Sequence, residues 1–443
     1  TSVFRNQVTS FSTFNRSLVQ IVNPRTVYRV SEQVIIRIEA RTANGSIQPF
    51  GGDFLRMKLF SKKPYSAIGP DTFIDYDNGT YLASFTLRWQ GIVNVSVQLV
   101  HPRCVIDTLK GITQAGIVES FVFIGRFEKQ RQNGTSYVEK VQCGLQPRQI
   151  PFCNLSANHT HGPWFCNKPE NSSISCRDWT HFNFDASKST KKLKKLITPK
   201  EYKALLRSNG NFNSGFFHKG TWQPFDCRLT HFESEQVQSC LNFKSMYFYG
   251  DSTARQMYEY IIQKKINCVD NGNKWMRHCT GQNTTMLFKF HGPPVRKGTP
   301  GSVRELGYIA DEIDNNQEGG PGVYIILSLW AHLVYPDKTF YRDRLLSVKS
   351  AIDRLLERRP ETRIIVRSAN IREHSIGAFL LVSSDWVALQ GERILRDVFS
   401  KDERISFLDV WDMTLVQECP DNVHPRETTL IQMLDYLLTM ICQ

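Results

Sequence analysis

No run of about 18 or more apolar residues occurs in the chain, so no stretch reads as a membrane-spanning helix. An acidic balance is missing as well. Lys and Arg number 55 against 42 Asp and Glu, a net charge of +13. Such an excess points to anionic partners: sialylated or sulfated glycans, a phosphorylated cofactor, or a membrane surface. It also suits a solvated surface that only keeps the chain soluble. The chain opens at Thr1 without Met, so any signal peptide or membrane anchor is expected upstream of it. Standard zinc-ligand spacing is absent. Cys153, His159, His161, Cys166 and Cys176 can be drawn around a metal, but their spacings fit no zinc finger, and no metal is expected.

Cysteines and glycosylation signals, by contrast, are abundant. The eleven cysteines point to an oxidising compartment where most are disulfide-bonded. Their odd count leaves a free thiol or an intermolecular bridge, and the pairing is not readable from sequence. Nine Asn-x-Ser/Thr sequons are present: Asn15, Asn44, Asn78, Asn94, Asn133, Asn154, Asn158, Asn171 and Asn283. This density implies passage through the secretory pathway, to the Golgi lumen or outside the cell. Nucleic acid is not an expected partner of such a chain. With 443 residues, 41% of them hydrophobic, two or three globular domains are expected.

Residues 24–127 alternate with a period of two. Val34, Ile36 and Ile38 alternate with Ile35, Arg37 and Glu39, and Val93, Val95, Val97 and Leu99 repeat the pattern. A last strand is expected over 118–124. The spacing suggests an immunoglobulin-like sandwich over 1–127. Residues 128–243 read as a cysteine-rich connecting region with little regular structure. Its lysine run (Lys188, Lys191, Lys192, Lys194, Lys195, Lys200 and Lys203) reads as an exposed helix start, or as an anion-attracting rim. Trp222 and Phe225 are expected to cover one face of the next domain. Residues 244–443 alternate strands (246–249, 286–290, 323–329, 363–367, 405–410) with helices (345–358, 386–399, 428–441). That pattern predicts a doubly wound α/β sheet with ligands at the C-terminal strand ends.

The first of those units, MYFYGDSTARQMYEYIIQKK, places Ser252 at a sharp turn between strand and helix. Free backbone N–H groups and the positive end of the helix dipole lie there, as an acyl-transfer nucleophile requires. Asp and Ser are also ordinary N-cap residues, so this turn alone does not decide for catalysis. Near the other end, Asp421 and His424 stand three apart before the last helix. Such a pair can set a histidine as general base, although a surface pair has the same spacing.

GDSTARQ at 250–256 with DNVH at 421–424 resembles the opening and closing blocks of the SGNH/GDSL hydrolases. GTWQPFDCRL at 220–229 is similar to the PC-esterase branch, which includes plant polysaccharide O-acetyltransferases and a lumenal sialic acid O-acetyltransferase domain. Residues 75–102 resemble the end of a filamin-type immunoglobulin repeat. Sandwich, cysteine-rich linker and PC-esterase-like domain together resemble the neurexophilin and PC-esterase domain family, over essentially the whole chain. The fold implied is an α/β SGNH-like, flavodoxin-like C-terminal domain plus an all-β immunoglobulin/filamin-like N-terminal sandwich.

The resemblance implies Ser252 as nucleophile, His424 as base and then acid, and Asp421 as its partner. The Ser252 N–H is one expected oxyanion donor and Gly292 a second. The family's block Asn is missing from SLWAH at 328–332, and Asn370 is the expected substitute. Arg255, His291, Trp330 and His332 are candidates for donor or substrate binding. The implied activity is glycan O-acetylation, with acetyl-CoA as co-substrate and sialylated glycans or glycoproteins as acceptors. Two alternatives stay open: an O-acetyl esterase with the same triad, and a non-catalytic secreted ligand acting through the sandwich.

Overall fold

Alternation builds the N-terminal part as expected. In the strand Gln33–Glu39, Val34, Ile36 and Ile38 share one face and are fully buried. The computed structural model describes residues 2–5, 17–42, 45–114, 121–156, 162–194, 214–266, 268–281, 283–296, 300–315, 319–333, 338–371, 384–417 and 423–442. Leu18–Ile21, Gln33–Glu39, Thr80–Thr86 and Thr72–Asp75 form a four-stranded antiparallel sheet. Its buried face shares a core with Met57, Leu59, Val93, Val95 and Val97 of a second sheet. That sheet runs Ser2–Arg5, Gly91–His101, Phe54–Ser61, Ser66–Ile68, Gly215–His218, Thr221–Pro224.

The last two of those strands correct the reading of 128–243 as an irregular connector. Phe216 and Phe217 pair with Ile68 and Ala67. A third sheet also lies mostly in this region: Phe152–Asn154, Phe165–Asn167, Ser136–Gly144, Phe123–Gln130, Trp179–Phe184 and Gly301–Ser302. Phe123–Gln130 crosses the expected boundary at 127. It pairs with Ser136–Gly144 and Trp179–Phe184 instead of closing the N-terminal set. Disulfides Cys143–Cys166 and Cys153–Cys176 cross-link these short strands, which are polar enough to read as loop. The three cysteines drawn above around a metal, Cys153, Cys166 and Cys176, are thus all in disulfides. Helix Arg103–Gln114 also interrupts the stretch expected to be wholly β. Trp222 is fully buried, and its N–H donates to Gln432 of the closing helix at 3.0 Å. Phe225 is half-exposed under Arg88, not a cover for the next domain.

The C-terminal part follows its expected alternation closely. Five parallel strands, Ser245–Gly250, Thr285–Phe290, Val323–Ser328, Arg363–Arg367 and Ile405–Leu408, stand in the spatial order 2-1-3-4-5 counted along the chain. The hairpin Val269–Gly272 with Met276–Thr280 adds an antiparallel edge. Helices Ser252–Lys264, Lys338–Arg358, Asp385–Phe399 and Glu427–Cys442 bury their apolar stripes. In such a sheet the crevice for ligands opens where the order reverses, beyond the ends of the first and third strands. Gly250, Phe290 and Ser328 stand level there. Disulfide Cys240–Cys442 ties the closing helix to Ser234–Leu241. The N-terminal sheets reach this part through a buried ion pair, Arg56 to Asp385 at 3.1 Å.

Candidate active site

The turn after the first parallel strand is fixed from both sides. Gly250 has φ +153°, and a Cβ there would lie 2.1 Å from the Ser328 carbonyl oxygen. Only glycine lets the first and third strands approach so closely. Asp251 caps the helix Ser252–Lys264. Its Oδ1 accepts from the Thr253 N–H at 2.8 Å and the Thr253 hydroxyl at 2.6 Å, and its Oδ2 accepts from the Ala331 N–H at 2.9 Å. This fully buried carboxylate joins the Ser252 turn to the loop after the third strand. Ser252 therefore opens a helix, mostly buried, with the positive end of the dipole at its hydroxyl.

His424 reaches that hydroxyl. Its Nε2 lies 2.6 Å from Ser252 Oγ, a distance at which a neutral imidazole accepts the serine proton. The residues on either side of His424 are held by different elements. Gln256, on the serine's own helix, donates to the Pro425 carbonyl at 2.6 Å, and Asn370 donates to the Val423 carbonyl at 3.3 Å. Asp421 lies outside the described residues.

That second contact corrects the expected role of Asn370. Its carboxamide is fully buried, its Oδ1 accepts from Arg367 at 2.9 Å, and its Nδ2 donates to both Ile371 and Val423 carbonyls. Both amide hydrogens are engaged, so Asn370 holds the histidine loop and does not serve as an oxyanion donor. Gly292 follows directly after a residue tied to the turn. The His291 N–H donates to the Gly250 carbonyl at 2.9 Å, which sets the 291–292 segment beside the Ser252 turn.

The four expected binding residues mostly face inward. His291 is buried, with Nδ1 2.7 Å from the Gly292 carbonyl. Burial pushes its pKa down to about 4, against the pull of that carbonyl and of Asp251, so the ring is neutral at pH 7. With Arg344 and Leu329 it lines a cavity of about 20 Å³, room for one water. Trp330 is buried. Arg255 donates to the Lys274 carbonyl at 2.9 Å and pairs with Glu259 at 3.4 Å. Half-buried His332 packs on His291, ring centres 5.5 Å apart, and accepts from the Arg296 N–H. These side chains support the turn more than they line an open pocket. Among the expected glycosylation sites, Asn78, Asn133, Asn154 and Asn283 are exposed and Asn171 is half-buried. Asn94 is buried and donates to the Phe60 carbonyl at 3.3 Å, so its nitrogen is not open to a glycan in the folded sheet. Asn15, Asn44 and Asn158 lie outside the described residues.

Two family models match the chain. The one described as Neurexophilin covers residues 3–206, and the one described as NXPE family member 4-like, C-terminal domain, covers 222–442. The chain belongs to the NXPE family. Solved structures resemble it only distantly. One described as a platelet activating factor from Streptococcus pneumonia shares 13% identity at a TM-score of 0.31, over 47% of this chain and 92% of that one. A family two carbohydrate esterase from Clostridium thermocellum shares 12% at 0.25, over 72% and 85%. An acetyl xylan esterase from Butyrivibrio proteoclasticus shares 10% at 0.23, over 95% of each. Scores this low decide neither fold nor chemistry.

In this NXPE chain the structure adds residues that the sequence reading passed over, Thr253, Gln256, Ser328 and Arg367, and gives Asp251, read as an N-cap residue, a second tie to Ala331. Gln256 had a signal, since it stands one helical turn after Ser252 on the same face. Arg367 had another, an arginine ending an apolar strand. It is fully buried, and burial pulls its pKa down to about 10 with Asp251 and Glu392 opposing, so it stays cationic beneath the site.

Proposed function

We propose that this protein is a lumenal or secreted glycan O-acetyltransferase of SGNH type. Ser252 attacks the thioester carbonyl of acetyl-CoA as His424 takes its proton. The thiolate leaves and is protonated, and an acetyl-Ser252 ester remains. A glycan hydroxyl, activated by the same histidine, then attacks the ester and regenerates Ser252. The N–H groups of Ser252 and Gly292 face the oxyanion of each step. Asp421 fixes the tautomer of His424. The observation that carries this reading is the 2.6 Å contact between Ser252 and His424 at the reversal point of the sheet. The 2-1-3-4-5 order supports an SGNH-like, flavodoxin-like domain, and the two N-terminal sheets around one core support an immunoglobulin-like sandwich. The basic balance and the sequons favour a sialylated acceptor in the Golgi lumen or outside the cell.

The test is incubation with acetyl-CoA and a sialylated glycoprotein, beside folded Ser252→Ala, with acetylated sialic acid read by mass spectrometry. Product from the native protein alone supports both transferase and nucleophile. Product from both removes Ser252 from the mechanism. Free acetate without acetylated glycan indicates the esterase, since water then resolves the same intermediate.

A further inference from the structure

The N-terminal sheets and the C-terminal part enclose a groove whose described lining carries donors and no acid. One stretch, about 470 Å³, is lined by Arg56, Lys58, Lys62, Lys63 and Gln417 among others. A second, about 450 Å³, shares Lys62 and Lys63 and adds His218 and Lys219. Among the described residues, neither lining contains Asp or Glu. Arg56 Nε and Gln417 Nε2 are buried and have no hydrogen-bond partner among the described residues. Both side chains are fixed from their far ends, Arg56 by Asp385 and Gln417 by the Thr429 hydroxyl at 2.7 Å. Buried donors left without acceptors are costly, so two in one lining point to a ligand that supplies the acceptors. Lys62, Lys63 and Lys219 are exposed, and none makes an ion pair among the described residues.

We propose that this groove binds a sulfated oligosaccharide. A sulfate ester offers three acceptor oxygens and a permanent charge, which match the fixed donors of Arg56 and Gln417. The cations are spread over two connected stretches, so a ligand with several anionic groups in a row fits better than a single charge. The Lys58 ammonium stands over the Phe60 and Tyr65 rings, at 5.6 and 5.5 Å, which favours sugar sulfates over a nucleobase that would stack there.

The experiment is calorimetric titration of the intact protein with a heparin-derived hexasaccharide at low and physiological salt. Two triple variants accompany it: Lys62→Gln/Lys63→Gln/Lys219→Gln in the groove, and Lys188→Gln/Lys191→Gln/Lys192→Gln on the helix Ala186–Lys194. Each removes three positive charges, and each is expected to unfold at the native midpoint. The groove variant is expected to bind about tenfold or more weaker, and the helix variant within about twofold of native. Equal loss in both, or none in the groove variant, overturns the proposal in favour of general attraction to a basic chain. Absence of binding by the native protein overturns it too. Displacement of the hexasaccharide by an equal concentration of coenzyme A assigns the groove to a nucleotide phosphate instead. Since binding is read directly, failure of acetyl transfer leaves this result unaffected.

Discussion

Asp251→Asn tests the mechanical account of the Ser252 turn. The native carboxylate accepts three hydrogen bonds, two from Thr253 and one from the Ala331 N–H, while fully buried. Asparagine keeps Oδ1 and can still accept from Thr253. Its Nδ2 is a donor and cannot accept from Ala331, so two donors face each other across 2.9 Å. Loss of a hydrogen bond to a charged acceptor costs about 1.5–3 kcal/mol, and a buried N–H without a partner adds about 1–3 kcal/mol. Buried Arg367 loses a nearby opposing charge, which acts in the same direction. The expected total is about 3–5 kcal/mol, read as a lower urea midpoint at unchanged slope. Thr253→Val removes the hydroxyl with its bonds to Asp251 and Ser328, and is expected to cost about 1.5–3 kcal/mol. The folded Asp251→Asn fraction is also expected to turn over at least about tenfold slower, because a serine displaced by about 1 Å loses alignment with its base. A cost below about 1 kcal/mol, or an equal cost for Thr253→Val, refutes the role of Asp251 as the link between the turn and the third strand.

Three further outcomes follow from the same contacts. His291, held to about pKa 4 against an ordinary 6.5, is neutral in both states above that ordinary value; as pH falls from 6.5 towards 4 the unfolded chain binds a proton that the folded one refuses, so about 3 kcal/mol of stability is lost over that window, and His291→Asn flattens this limb of a pH–stability curve. Gly250→Ala places a Cβ 2.1 Å from the Ser328 carbonyl at a φ that alanine disfavours, and is expected to cost about 3 kcal/mol or more in chemical denaturation or to abolish recovery of folded protein. Cys240→Ser/Cys442→Ser opens a loop with a sequence separation of 202 and is expected to lower unfolding free energy by up to about 5 kcal/mol, with little change in turnover below the new midpoint.

The C-terminal sheet was legible in the sequence because buried parallel strands are continuous apolar runs. Arg363–Arg367 falls where expected, and Val323–Ser328 within one residue. The third sheet was hidden because Phe152–Asn154 and Phe165–Asn167 are three residues each, too short to show a period, and rely on disulfides whose pairing sequence does not give. At the site, residue type and context singled out Ser252 and His424, and the structure brings these two side chains together. Asn370 was misassigned for a physical reason: following a strand puts a side chain at the correct edge of the sheet but says nothing of where its hydrogens go. Arg367 beneath it and the Val423 carbonyl beside it engage the whole carboxamide. His291 and Trp330 were misread the same way, since both lie at strand ends but point inward.

Serine and histidine are separated by 172 positions, and no local element connects them. Their distance is set by the sheet. The first strand lies between the second and third, so its turn is clamped by His291 on one side and by Ser328 and Ala331 on the other. The histidine segment is then tied to this fixed point twice, by Gln256 from the serine's helix and by Asn370 from beyond the fourth strand. Both hydrogen bonds reach backbone carbonyls beside the histidine, so they fix the path of the backbone. A carboxamide holding the histidine loop and a carboxylate holding the serine turn divide the positioning of the two side chains between two strand ends. That division gives a buried asparagine a reason to stand at this edge of the sheet without contributing an oxyanion donor.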